Sequence, residues 1–103
     1  MIYNKYDIYL AKVVFEDNKE KAKIRPVLIL ENNKIYVICY KITSQINKYN
    51  EYKILNWEEA GLLKPSMIRT NKKLQINKTD IIKKLGHLSN IDIKRLEREM
   101  NKS

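Results

Sequence analysis

Four consecutive apolar residues, Val27-Leu28-Ile29-Leu30, constrain this chain more than any other stretch. Side chains on a strand alternate between faces, so a strand with this run must be covered on both sides. Pro26 marks its start, since proline is tolerated at the first position of a strand. The same proline holds Arg25 away from helical geometry and extended at the strand mouth. The chain must therefore build a sheet with apolar material on both faces of this strand, and a fixed cation at its entrance.

The neighbouring segments fit such a sheet. Asp7 to Phe15 reads as a strand with partial alternation. Glu16 to Lys23, EDNKEKAK, has no apolar anchor and reads as a mobile polar loop. Asn32-Asn33 separates the Val27–Leu30 run from a strand over Lys34 to Thr43. Asparagine tolerates the positive φ of a tight hairpin, so the two runs pair antiparallel. Gln45 to Glu51 reads as a second polar loop, and Tyr52 to Leu55 as a short strand. Asn56 to Gly61 reads as one helical turn, capped by Asn56 with Glu59 in return and ended by Gly61. A further strand runs from Ser66 to Ile76. Thr79 to Leu88 fits either helical spacing or a turn and a short strand. Ser89 and Asp92 form a capping-box pattern opening a last helix, whose apolar stripe is Ile93, Leu96 and Met100. Short strands, tight turns and one terminal helix describe a bent antiparallel sheet or barrel.

Composition narrows the function classes. At 103 residues, with 44% hydrophobic, the chain reads as one globular domain with a single modest core. No apolar stretch reaches the roughly 20 residues of a membrane span. One cysteine, Cys39, inside an apolar run, reads as a core residue and fits a reducing cytoplasm. One Cys and one His cannot form a structural zinc site, and no metal or cofactor is expected. Twenty-one Lys and Arg against twelve Asp and Glu give a net charge of +9, a field that gathers polyanions. Seven tyrosines among the lysines offer rings for unpaired bases, although tyrosine also fills sheets.

Arg25 and the triplet Thr43-Ser44-Gln45 suggest phosphodiester chemistry, because a guanidinium forks onto two phosphate oxygens and stays charged at any working pH. Arg69 and Asn71 share a strand face if the two-residue period holds, so both could line a groove. Arg25 has Asp7 and Glu31 as alternative ion-pair partners, and Thr43-Ser44 is also a turn former. His87, before the last helix, reads as structural, and Trp57 as packing for the turn it begins.

The ordered segments Asp7-Ile8-Tyr9, Arg25-Pro26-Val27-Leu28-Ile29, Ile42-Thr43-Ser44-Gln45, Trp57 to Ser66, Ile68-Arg69 and Gly86-His87-Leu88-Ser89 resemble the PemK/MazF family of toxin endoribonucleases from type II toxin–antitoxin pairs. The resemblance covers roughly residues 6 to 98. It implies a mainly β fold, an SH3-like antiparallel barrel of the MazF/CcdB type with a C-terminal α-helix, and one domain over residues 1–103. It implies sequence-specific, metal-independent cleavage of single-stranded mRNA in the cytoplasm by a homodimer, with an acidic antitoxin protein as inhibitor and no membrane partner. Arg25 and Thr43 match the family's catalytic residues; Ser44, Gln45, Arg69 and Asn71 fall in RNA-binding positions. It also favours a strand before the last helix. Two departures stand out: Tyr6 where a glycine usually precedes the aspartate–isoleucine pair, and Asn71 where several members carry an aspartate. A non-catalytic binding module on the same barrel is the alternative, and the CcdB gyrase poisons, a sister family, lack the arginine–proline and threonine–serine features.

Overall fold

Strand β2, Asn18–Asn32, is the spine of the molecule. A straight strand of its 15 residues would run roughly 50 Å at about 3.3 Å per residue. The longest dimension of the molecule is 32 Å, so β2 bends. The ladder from β2 to the next strand shifts register between Ile29 and Glu31, where an extra residue on β2 interrupts it, an irregularity of the kind that bends strands. Val27 and Ile29 enter one core with Tyr9, Ala11, Val37 and Cys39. Leu28 and Leu30 enter a second core with Ile8, Ile42, Ile68 and Leu96. The double cover demanded by the Val27–Leu30 run is thus met by two cores on opposite faces of one strand.

This structure is a computed structural model and describes residues 2–15, 18–45 and 52–101. Around β2 stand β1 (Asp7–Phe15), β3 (Tyr36–Thr43), β4 (Tyr52–Lys53), β5 (Met67–Asn77) and β6 (Ile81–His87), followed by helix α1 (Asn90–Met100). The six strands form one antiparallel sheet in the order β4-β5-β3-β2-β1-β6. β4 and β6 end that order with no ladder between them among the described residues. The expected mainly β, antiparallel fold with a C-terminal helix is borne out, with the sheet left unclosed between β4 and β6.

Two other expectations change, and one open alternative is settled as the resemblance implied. Residues 18–23, read as loop, extend β2: Lys23 pairs with Val13 and Ala22 with Val14. A ladder is made by backbone groups, so a charged segment can join it when its partner strand is already in place; residues 16–17 lie outside the described chain. The β2–β3 hairpin forms without positive φ at either asparagine. Its loop, residues 33–35, is closed by the Asn33 N–H on the Tyr36 carbonyl at 3.0 Å. Residues 79–88 resolve as the end of a 3₁₀ turn (Lys78–Asp80) and strand β6. The expected loop over 45–51 lies, past Gln45, outside the described residues.

The C-terminal helix is anchored through its first turn. Ser89 caps it by accepting from the Asp92 N–H at 3.2 Å. Buried Asp92 accepts in turn from Tyr52 O–H (2.7 Å), Leu55 N–H (2.9 Å), Asn56 N–H (2.9 Å) and Ser89 O–H (3.1 Å). Burial works to raise its pKa, but these hydrogen bonds outweigh it and hold the carboxyl below its ordinary value. Asn56 was expected to cap its own turn; its amide instead donates to Ser89 at 3.0 Å, tying that turn to α1. Leu96 is buried and Ile93 packs on the core, while Met100 stays exposed. No helix among the described residues is long and apolar enough to cross a membrane.

Candidate active site

Where β2 and β3 part, the sheet borders a cleft of about 640 Å³. Arg25 stands on β2, paired with Ala11 of β1. The β2–β3 ladder ends at the pair Val27–Lys41; Arg25 lies two residues beyond it on β2 and Thr43 two beyond it on β3. Lys41 pairs with Arg69 and Thr43 with Met67 on β5. Antiparallel geometry thereby gathers Arg25, Lys41, Thr43 and Arg69 from three strands, and all four line the cleft with Ser44 and Gln45.

Arg25 is exposed and has no hydrogen-bond or ion-pair partner among the described residues. Its expected rival, Asp7, is engaged elsewhere: its carboxylate meets His87 Nδ1 at 2.8 Å, Lys84 Nζ at 3.5 Å and the Asn4 N–H at 3.0 Å. That arrangement gives His87 the structural role expected of it. Thr43 Oγ1 accepts the Gln45 N–H at 3.1 Å, so it does shape a turn. A hydroxyl that accepts one bond still has its own O–H to donate, and here it can donate into the cleft.

The opposite wall comes from the turn over residues 57–61 and from β6. The turn is closed by the Ala60 N–H on Asn56 O and the Leu62 N–H on Trp57 O. Gly61, at φ 89, ends it as expected. Gly61, Leu62, Leu63, Lys64 and Ser66 line the cleft with Lys83 and Leu85 of β6. Six lining residues are basic, namely Lys23, Arg25, Lys41, Lys64, Arg69 and Lys83, and none of the described lining residues is a carboxylate or imidazole. With such charge in one concave surface, a polyanion is the natural occupant.

Lys23, Lys41, Lys64 and Lys83 were not singled out from sequence. Lys41 was within reach, since it shares strand parity with Thr43; Lys83 depends on β6 pairing with β1 through Leu10, which no local pattern announces. Asn71 does not line the cleft. Between the pairs Cys39–Leu74 and Lys41–Arg69, one residue of β3 faces four of β5, so the two-residue period that joined Asn71 to Arg69 is broken there. The tyrosines are not bases' stacking partners in this cleft either. Tyr3, Tyr6, Tyr9, Tyr40 and Tyr52 are buried, none of the described tyrosines lines the cleft, and Tyr49 lies outside the described residues. Trp57 packs on the core, as expected.

A family model for PemK-like, MazF-like toxins of type II toxin–antitoxin systems matches residues 4–103. The chain belongs to that family. Two solved structures share the fold of this PemK/MazF-like chain. The Mycobacterium tuberculosis toxin MazF-mt6 is 22% identical, with 92% of each chain covered and a TM-score of 0.70. An endoribonuclease in complex with its cognate antitoxin, from Mycobacterial species, is 12% identical, with 93% of this chain and 86% of that chain covered and a TM-score of 0.67. No curated protein sequence matches. The departure at Tyr6 has a structural form: Tyr6 adopts φ 71, the left-handed region where glycine is at ease. Its N–H donates to Ile29 O at 2.7 Å, its carbonyl accepts from Leu88 N–H at 3.0 Å, and its hydroxyl donates to Glu97 at 3.2 Å. The fold thus imposes this conformation from three directions.

Proposed function

We propose that this chain is a sequence-specific endoribonuclease toxin that cuts single-stranded mRNA without a metal ion. The observation that carries the reading is that Arg25, its side chain without a partner among the described residues, and Thr43 line one cleft with six basic residues in all. The family supports it, as does the likeness in fold to an endoribonuclease solved with its antitoxin.

The chemistry is attack of a ribose 2′-oxygen on the adjacent phosphorus. The 2′-O–P bond forms, the P–O5′ bond breaks, the 2′-OH loses its proton and the leaving 5′-oxygen gains one. The products carry a 2′,3′-cyclic phosphate and a 5′-hydroxyl. Arg25 neutralises the charge that builds on the non-bridging oxygens, with two parallel N–H donors that need not reorganise. Thr43 donates its free O–H to the ribose or a phosphate oxygen, fixing the line of attack. Ser44, Gln45 and Arg69 hold the strand on either side. The described lining holds neither carboxylate nor imidazole, so its contribution is charge stabilisation and orientation.

The same cationic cleft suits an acidic antitoxin segment, which would inhibit by occupying it. A homodimer in the cytoplasm, acting as one domain over residues 1–103, completes the proposal. Incubation with mixed-sequence RNA in excess EDTA tests it, with Arg25→Ala and Thr43→Val beside the wild type. Discrete fragments with cyclic phosphate ends, lost in Arg25→Ala, are expected. RNA binding without cleavage would instead favour a binding module.

A further inference from the structure

The cleft is amphipathic, with aliphatic side chains beside its six basic residues. Leu10, Pro26 and Ile42 from the sheet and Leu62 and Leu85 from the facing wall supply aliphatic surface. Leu63, on the rim, is 94% exposed. A single exposed leucine is unremarkable on a protein surface. Leu63 is different in being continuous with this lining and flanked by a cation.

Within the facing wall, the turn and β6 are held together by backbone contact. A Cβ on Gly61 would lie 2.1 Å from the Leu85 carbonyl oxygen, and one on Gly86 would lie 2.3 Å from that of Ala60. The turn is therefore pressed against β6 with no room for a side chain between them, which sets Leu62–Lys64 beside Lys83–Leu85. Leu10 is the cross-strand neighbour of both Lys83 and Pro26, so the aliphatic surface runs up to the residue beside Arg25. No described aromatic residue takes part.

Resting on the ribonuclease reading above, we propose that this aliphatic surface is a subsite for one unpaired nucleobase next to the scissile phosphate. Leu63 covers the face of the base, and Lys64 and Lys83 hold the phosphate it carries. An unpaired base presents flat apolar faces joined to an anionic backbone, and this surface presents aliphatic groups bordered by lysines. A paired base hides those faces in its stack, so the subsite also selects single strands. Contact is through aliphatic groups rather than rings, which makes it tolerant of base identity; sequence choice falls to other parts of the site.

The test pairs protein and RNA changes on full-length chain. Once the cut position is mapped, an oligonucleotide with a 2′-deoxy sugar at that nucleotide serves as the uncleavable probe. Single abasic sites are scanned along it. Leu63→Ser should keep the wild-type melting temperature, because the side chain is exposed, and weaken binding on the order of fivefold to tenfold. One abasic position adjoining the cut should cost wild type the same factor and cost Leu63→Ser nothing further, a coupling that a general surface effect cannot produce. Lys64→Ala and Lys83→Ala should each lower the slope of log Kd against log salt by about 0.7. Leu63→Ser binding at wild-type strength, or with equal losses at every abasic position, overturns the subsite while cleavage by the wild type keeps the ribonuclease reading. A wild type that neither binds nor cuts RNA overturns both.

Discussion

Asp92 is the residue on which the geometry of the cleft's outer wall depends, and its replacement by asparagine has a calculable cost. The carboxylate takes four hydrogen bonds, from Tyr52, Leu55, Asn56 and Ser89, that join α1 to the segment leading into the 57–61 turn. In Asp92→Asn one oxygen remains to serve Tyr52 and Leu55 as a neutral acceptor. The new amide nitrogen then faces the Asn56 N–H, donor against donor. Ser89 offers no easy repair, since its oxygen already accepts from the Asp92 N–H and the Asn56 amide. A buried orphaned N–H costs about 1–3 kcal/mol, and demoting two charge-assisted bonds costs about 1 kcal/mol more, so a loss of about 3 kcal/mol is expected. For a domain of this size that is a fall on the order of 10–20 °C in Tm. The pH dependence follows from the depressed pKa of the native carboxyl. A carboxyl held below its unfolded value, about 3.9, stabilises the fold above that pH and loses the contribution as pH falls through the native value. The gap in Tm between wild type and Asp92→Asn should therefore be full at pH 7 and narrow below about pH 4. Thermal unfolding followed by circular dichroism at both pH values measures it. A loss under about 1 kcal/mol at pH 7, or a gap that widens in acid, would refute the reasoning.

Gly86→Ala should separate the turn from β6, because the new methyl would meet the Ala60 carbonyl oxygen at 2.3 Å. A stability loss of about 1–3 kcal/mol with reduced RNA cleavage is expected, and an unchanged melting curve would count against the close packing of the turn on β6. Cys39 is fully buried and its thiol is pushed up to about 12 by burial, so it should resist thiol reagents at pH 8 until the chain unfolds. Labelling of the native protein within minutes would contradict its place in the core.

Much of the fold was legible because local and global demands coincide. Val27–Leu30 needed cover on both faces and has it; Ser89 had the sequence of a cap and caps; Gly61 was placed to end a turn and does so at positive φ. Other features depend on partners far away in sequence. Residues 18–23 became strand because β1 offers a ladder, whatever their side chains. Tyr6 is left-handed because Ile29, Leu88 and Glu97 hold it, a strain usually costing on the order of 1–3 kcal/mol. Within the site, Arg25 and Thr43 were legible from residue type and order, whereas Lys83 reached the cleft through the β1–β6 pairing and Asn71 left it through an irregularity in β5. Residue type suggested the chemistry; register decided which residues share it.

The central claim is that Arg25, lining one cleft with Thr43, makes it a metal-independent ribonuclease site. Its most direct test is the initial rate of cleavage of single-stranded RNA in excess EDTA by wild type and Arg25→Ala, at matched stability. The account predicts cyclic phosphate products from the wild type and a rate lower by on the order of 10²- to 10³-fold in the variant. Equal rates, or a wild type that binds the RNA and leaves it whole, would contradict it.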